Sequence, residues 1–325
     1  MSELSRGVLK GDRLAVSKAI SAVENRGEDY PLLLREIFPH TGHAFVIGVT
    51  GPPGTGKSSL VDRLLKVFRA RGDKVAVLAV DPTSPVTGGA ILGDRVRMIS
   101  HTLDEGVYIR SMASRGDEGG LSRAAMNAVR ILDAAGNDIV FLETVGIGQA
   151  EVEVVRAADA VVVVLMPELG DEVQAAKAGL MEIGDIFVVN KSDLPGSDRV
   201  MYNLHPVLAS KSGWRQLALK VSAKTGEGIE EIVSKIDEFR SFEEKSDSLR
   251  ERKLRNVSEE LIQNVSAALF EHARARLERS KDLEKVTERV VARKIDPESA
   301  TRLLLEGLMM TSEPRDILNK RKKRP

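Results

Sequence analysis

The stretch VIGVTGPPGTGKSSLVDRLL, residues 46–65, decides the fold. Its first part is a run of β-branched and apolar residues, as in a strand covered on both faces, and its last part carries apolar residues at helical spacing. Between them Gly51, Pro52, Pro53, Gly54, Thr55, Gly56, Lys57 and Ser58 fit the pattern GxxxxGK[ST], with Ser59 directly behind. Glycines in such a loop let the backbone close into a ring of inward-facing N–H groups that cradles phosphate oxygens, and the positive end of the following helix adds to the attraction. The spacing predicts Lys57 at the β/γ-phosphate bridge and Ser58 on magnesium. A glycine-rich turn that carried its lysine by coincidence would lack the strand on one side and the helix on the other.

Outward from this loop the same alternation continues. Short apolar runs at 44–50, 75–80, 107–109, 139–143, 160–166, 186–190 and 217–222 are separated by amphipathic stretches. Strands apolar on both faces with helices between them predict a doubly wound, mostly parallel α/β sheet, spanning residues 41–243. Residues 1–40 read as a helical N-terminal extension, with Leu14, Ala15, Ile20, Val23, Leu32, Leu33 and Ile37 as its apolar positions. From 244 to 325 the strands stop, and Leu254, Val257, Leu261, Val265, Ala268 and His272 recur at helical spacing. A shorter helix near 283–293 follows, then a last one opened by Asp296 with Pro297 behind it, a suitable cap and first-turn pair. The tail NKRKKRP reads as a solvated end rather than a nucleic-acid contact.

Two loops speak to the base. In IFVVNKSD, residues 186–193, Asn190, Lys191 and Asp193 follow a buried strand on the rim where doubly wound sheets bind ligands. An aspartate accepts two hydrogen bonds from guanine's ring N–H and exocyclic amine, whereas adenine presents an acceptor there and is repelled. Lys191 can lay its stem across the base, and Asn190 can tie its loop to the phosphate loop. Ser222, Ala223 and Lys224, again after a strand, supply a further base-binding loop. Alone, NKxD is a short pattern that polar turns also match; three elements in order favour GTP over ATP.

FLETVGIGQAE, residues 141–151, ends a strand in Glu143 and places Gly146 three residues on. This is a DxxG-like element with Glu for Asp, and the Gly146 N–H is placed to sense the γ-phosphate. Ile147 stands where Ras-like proteins carry a water-positioning Gln, and Gln149 lies two residues further, so that mechanism does not transfer. DPTSPVTGGAILGDRVRM, residues 81–98, offers Asp81 and Asp94 for magnesium and its water shell or for the attacking water. A turn cap for Asp81 and a solvated loop acid for Asp94 remain the plainer readings.

Composition narrows the chemistry. Lys plus Arg and Asp plus Glu both number 48, so no overall field draws the chain to nucleic acid or a membrane surface. With no cysteine and five scattered histidines, thiolate catalysis and Cys-ligated metal sites are excluded. The first residues lack a signal-peptide core and no apolar run approaches membrane-spanning length, so the chain reads as cytoplasmic.

The series GPPGTGKSS, DPTSPVTGGAILGDRVRM, ETVGIGQAE, GDEVQAAKAG and EIGDIFVVNKSD resembles the MeaB/ArgK family of P-loop GTPases, to which the human methylmalonic aciduria type A protein belongs. The resemblance implies a SIMIBI-type GTPase domain and a helical C-terminal dimerisation region. It further implies a homodimeric, magnesium-dependent enzyme that converts GTP to GDP and phosphate and serves as chaperone to a cobalamin-dependent acyl-CoA mutase such as methylmalonyl-CoA mutase. In that family the GTPase gates adenosylcobalamin loading and helps expel damaged cofactor. Carried onto this chain, Lys57 and Ser58 serve phosphate and metal, Asp81, Asp94 and Glu143 fall on the magnesium and catalytic acids, and Asp193 reads guanine. Residues 170–177 fall on an additional switch, with Asp171 and Glu172 where a pair of aspartates is expected. Two other classes stay open: a small-molecule kinase linked to amino-acid transport, and a metal-insertion GTPase, which the missing cysteines disfavour.

Overall fold

The computed structural model describes residues 1–27, 29–82, 101, 103–114, 120–144, 158–167, 177–211, 213–246 and 248–309. Asp94, Gly146 and the expected switch residues 170–176 lie outside these, as does the side chain of Asp81. Three helices come first, α1 (Glu3–Leu9), α2 (Arg13–Glu24) and α3 (Tyr30–Ile37). Strand β1 (Phe45–Thr50), helix α4 (Lys57–Ala70), β2 (Val75–Pro82), β3 (Val107–Ser114), α5 (Gly120–Ala134) and β4 (Ile139–Thr144) follow. The chain continues through β5 (Ala160–Leu165), α6 (Lys177–Ile183), β6 (Ile186–Val189), α7 (Ser197–Leu204), a small antiparallel pair β7 (Ser210–Lys211) and β8 (Trp214–Arg215), and then β9 (Leu217–Lys220). Helices α8 (Ile229–Lys245), α9 (Ser248–Glu278), α10 (Lys281–Val291) and α11 (Pro297–Met309) complete it.

Among the described residues the main sheet has seven strands in the order β3-β2-β4-β1-β5-β6-β9, every neighbouring pair parallel. Successive side chains of a strand point to opposite faces, and both faces here are covered, which is why the strands read as unbroken apolar runs. In β5, Val161 and Val163 pack with Ile20, Ile37 and Leu132 into one core, while Val162 and Val164 join Leu60, Leu64 and Ile236 in the other. Helices α1 to α3 thus share the core of α5 and the sheet rather than standing apart.

Two details differ from the expectation. Leu14 and Leu32 are 64% and 51% exposed; the inward row of α2 is Val16, Ala19, Ile20 and Val23, at the 3.6-residue period that Leu14 breaks. Strand β3 runs past Ile109 to Ser114 because parallel pairing with β2 continues through Asp81↔Ala113 and Pro82↔Ser114, although the sequence there turns polar.

By contacts the chain forms two units, Met1–Ser258 and Glu259–Pro325. At the amino edge of the sheet, inside the first unit, Arg252 is buried. Its Nη1 and Nη2 each donate at 3.0 Å to Asp185, Nη1 donates to Asp159 O at 2.9 Å, and Nη2 approaches Glu243 Oε1 at 3.4 Å. Its guanidinium also lies 5.2 Å from the centre of the Phe239 ring. The Asp159 carboxylate accepts from Val46 N–H at 2.9 Å, and burial pushes its pKa up. In the second unit, Asp296 Oδ1 accepts from Ser299 N–H at 2.9 Å and opens α11, and Arg276 donates to Leu308 O. No helix among the described residues is long and apolar enough to cross a membrane.

Candidate functional site

The segments after β1, β4, β6 and β9 leave the carboxyl edge of the parallel sheet. This follows from the topology: β1, β4, β6 and β9 run the same way, so the segments after Thr50, Thr144, Val189 and Lys220 emerge on one rim. The loop after β1 is built on positive backbone angles. Gly51 has φ +150° and passes so close under β5 that a side-chain carbon there would meet the Val164 carbonyl. Gly56 has φ +87° and caps α4, and a side-chain carbon at this point would come within 2.5 Å of Asn190 Nδ2. Thr55 Oγ1 closes the turn by donating to Pro52 O at 2.9 Å.

Lys57 begins α4 and is only 6% exposed. Its Nζ donates to Gly51 O at 2.9 Å and to Pro52 O at 3.1 Å, which holds the ammonium across the mouth of the loop. Ser58 Oγ donates to Glu143 Oε1 at 2.6 Å, and the two residues are 7% and 2% exposed. Glu143 reaches this position because it stands opposite Val49 of β1 and Ala79 of β2 near the end of β4. One residue on, Thr144 Oγ1 bonds Thr50 Oγ1 at 3.1 Å.

The turns expected to read the base are tied to this core by the buried Asn190. Asn190 Nδ2 donates to Thr55 O at 2.8 Å while its Oδ1 accepts from Ala223 N–H at 3.0 Å. Lys191 takes up φ +60°, and its Nζ lies 3.3 Å from Met166 Sδ. The exposed Asp193 accepts at Oδ1 from Ser222 Oγ at 2.7 Å. That hydroxyl bond is the main reason its pKa is lowered, with burial opposing, so it stays ionised near neutral pH.

The structure therefore brings together Gly51 to Ser59, Glu143, Asn190, Lys191, Asp193 and Ser222 to Lys224 on one rim. The β2 backbone at Asp81 reaches that rim, while Asp94 and Gly146 fall outside the described residues. Two residues escaped the sequence reading. Arg63 of α4 donates from Nε to Ala223 O at 2.8 Å and from Nη2 to Lys224 O at 2.9 Å. His101 Nε2 lies 2.8 Å from Asp62 Oδ1 on the same helix. Neither belongs to a motif; spacing on α4 alone gives no reason to pick one charged residue over another.

A parallel sheet with a glycine-rich loop behind its central strand, tied by an asparagine to the turn after β9, defines a P-loop nucleotide-binding protein. Residues 16–278 match the family described as methylmalonyl Co-A mutase-associated GTPase MeaB, and the chain belongs to that family. A Pyrococcus abyssi protein described as a GTPase is 45% identical over 315 residues, covering 95% of this chain and 97% of its own. GTPase ArgK of Escherichia coli is 36% identical over 283 residues, covering 84% and 86%. Among solved structures, one named as a LAO/AO transport system kinase superposes with a TM-score of 0.72 at 27% identity, over 94% of this chain and 96% of that one. The protein is accordingly an enzyme that binds guanine nucleotide and hydrolyses GTP.

Proposed function

We propose that the protein is a magnesium-dependent GTPase switch that attends a cobalamin-dependent acyl-CoA mutase, with methylmalonyl-CoA mutase as the partner that the family's name supports. The observation that supports this reading best is Asn190, which links the loop at Thr55 to the turn at Ala223 and so joins the segments proposed for phosphate and base recognition.

In this reading the loop N–H groups and Lys57 receive the phosphates, and the lysine offsets charge that builds on the β/γ bridge as the terminal phosphoryl leaves. Asp193, held ionised by Ser222, accepts from the guanine edge. The Ser58 hydroxyl and the Glu143 carboxylate, hard oxygen donors 2.6 Å apart and shielded from water, suit a small divalent cation. Asp81 and Asp94 complete the proposed acid set. Magnesium, when bound, neutralises charge on the phosphate oxygens. Residues 81–98, 143–149 and 170–177 are the segments proposed to carry nucleotide state to the mutase.

One experiment tests both halves. Phosphate release is measured for the native chain and Asp193→Asn, with GTP and with xanthosine triphosphate, each with and without methylmalonyl-CoA mutase. The native chain should hydrolyse GTP faster when the mutase is present, and the variant should transfer its preference to the xanthosine nucleotide, because an amide offers a donor to the new carbonyl. Unchanged GTP preference removes the base assignment; rates indifferent to the mutase remove the partner. The transport-system kinase reading, which the structural relative's name raises, predicts labelled product other than free phosphate in the same assay.

We also place a homodimer contact on α9, where Leu261, Ile262, Val265, Leu269 and Phe270 are exposed apolar residues in a run of ten. A chain ending at Ser258 keeps Arg252 and its buried acids and should scatter light as a monomer, whereas the full chain should scatter as a dimer. A dimeric short chain would put the contact elsewhere.

A further inference from the structure

We infer that Arg63, on the helix behind the phosphate loop, is a positioning residue for guanine recognition that holds the Ser222 to Lys224 turn where Asn190 and Asp193 can use it. The inference rests on the base-site reading above and adds to it the residue that fixes the second base loop.

Both donors of one planar fork go to consecutive carbonyls, Nε to Ala223 O at 2.8 Å and Nη2 to Lys224 O at 2.9 Å. A guanidinium used in this way sets the tilt of the peptides as well as their distance, which an ammonium on a flexible stem cannot do. The same turn is gripped from its other side. Ala223 N–H donates to Asn190 Oδ1 at 3.0 Å, and Ser222 Oγ donates to Asp193 Oδ1 at 2.7 Å. Asn190 in turn donates to Thr55 O at 2.8 Å, in the loop that leads into α4. The bonds therefore close a circuit: from Arg63 to the turn, from the turn to Asn190, from Asn190 to the phosphate loop, and along α4 back to Arg63. Without Arg63 the circuit opens at the turn, and the segment that orients Asp193 keeps its own turn bonds and its contacts with the 190–193 loop but loses its tie to α4.

Arg63 stands six residues beyond Lys57 on the helix, about 9 Å along its axis, so it is remote from the phosphates. Its loss should therefore weaken holding of the nucleotide through the base and spare the phosphoryl chemistry. A merely structural role, loosening α4 itself, would disturb Lys57 and Ser58 at the start of that helix and lower turnover too.

The test uses the full chain with Arg63→Met and Arg63→Lys, and Asp193→Asn alongside, reading kcat and KM for GTP hydrolysis and the affinity for GDP by calorimetry. Arg63→Met should raise KM and weaken GDP about tenfold, the scale of one or two charge-assisted hydrogen bonds at a solvent edge, while kcat stays within about twofold. Arg63→Lys, which can reach one carbonyl, should fall between. An unchanged KM, or a kcat that falls while KM holds, overturns the inference, and should Arg63→Met fail to fold, the intermediate KM of Arg63→Lys decides on the same terms. If Asp193→Asn transfers its preference to the xanthosine nucleotide while Arg63→Met leaves KM alone, Arg63 has no such role and the base site stands. If Asp193→Asn keeps its preference for GTP, the base-site reading fails first.

Discussion

The two ends of the same strands carry two buried polar clusters of opposite character. At the amino edge, Arg252 meets Asp185 and Glu243 and the carbonyl of Asp159, so charge faces charge and the set closes on itself. At the carboxyl edge charge meets neutral partners instead: Lys57 and Arg63 donate to backbone carbonyls, the Glu143 carboxylate accepts from the Ser58 hydroxyl, and the Asn190 amide and the Thr55 and Ser222 hydroxyls join the turns. There Asp193 is held by a hydroxyl, not by a cation, and keeps its charge at the rim. The difference separates a fastening from a binding site. A buried ion pair spends its charges on each other and contributes shape, whereas charged groups held by neutral partners keep their positions and leave their charge available to a ligand.

The contrast can be broken at either end. Arg252→Met should be the largest effect on folding, about 3–5 kcal/mol, because it strands Asp185 and Glu243 without their cation in a buried site. Urea unfolding measures it, and kcat of the folded fraction should not change. Lys57→Ala should do the reverse, lowering GTP turnover by about 10² to 10³ with the unfolding midpoint nearly unmoved. Equal losses of stability and turnover in both variants would erase the distinction between the edges.

Ser222→Ala sharpens the comparison with a smaller effect. The hydroxyl holds the Asp193 carboxyl below its usual range, so guanine binding that needs the ionised form is present above that lowered value and lost only as pH falls through it. Removing the hydroxyl raises the value, and the decline of GTP affinity should begin at a higher pH than in the native chain, as followed by calorimetry across the acid range. An identical pH profile would show that Ser222 does not set the charge of Asp193.

What could be read in advance follows the same division. The sheet was legible because strands covered on both faces leave no polar residue to interrupt the run, as in AVVVVL of β5. The phosphate loop was legible because its glycines answer backbone demands that few other residues can meet, Gly51 under Val164 being the plainest case. The tie from Asn190 to the phosphate loop was among the expectations, whereas its second bond, from Ala223 N–H, was not. Arg63 and Arg252 were not legible, since a charged residue on an amphipathic helix looks solvated until its partners, 160 and 67 residues away in sequence, fold against it. Polar pairing also hid the second half of β3, where Arg110 turns to Glu24 and Ser21 of α2.

Asn190 is a place where one atom decides whether the two loops stay joined. Its side chain works only because one end gives a hydrogen to Thr55 O and the other takes one from Ala223. Asn190→Asp would replace the nitrogen by oxygen, change the outline of the residue hardly at all, and set two acceptors face to face where the two loops meet. Near-isosteric shape is therefore no protection here: the surrounding core can stay packed while the junction that aligns the two loops is lost.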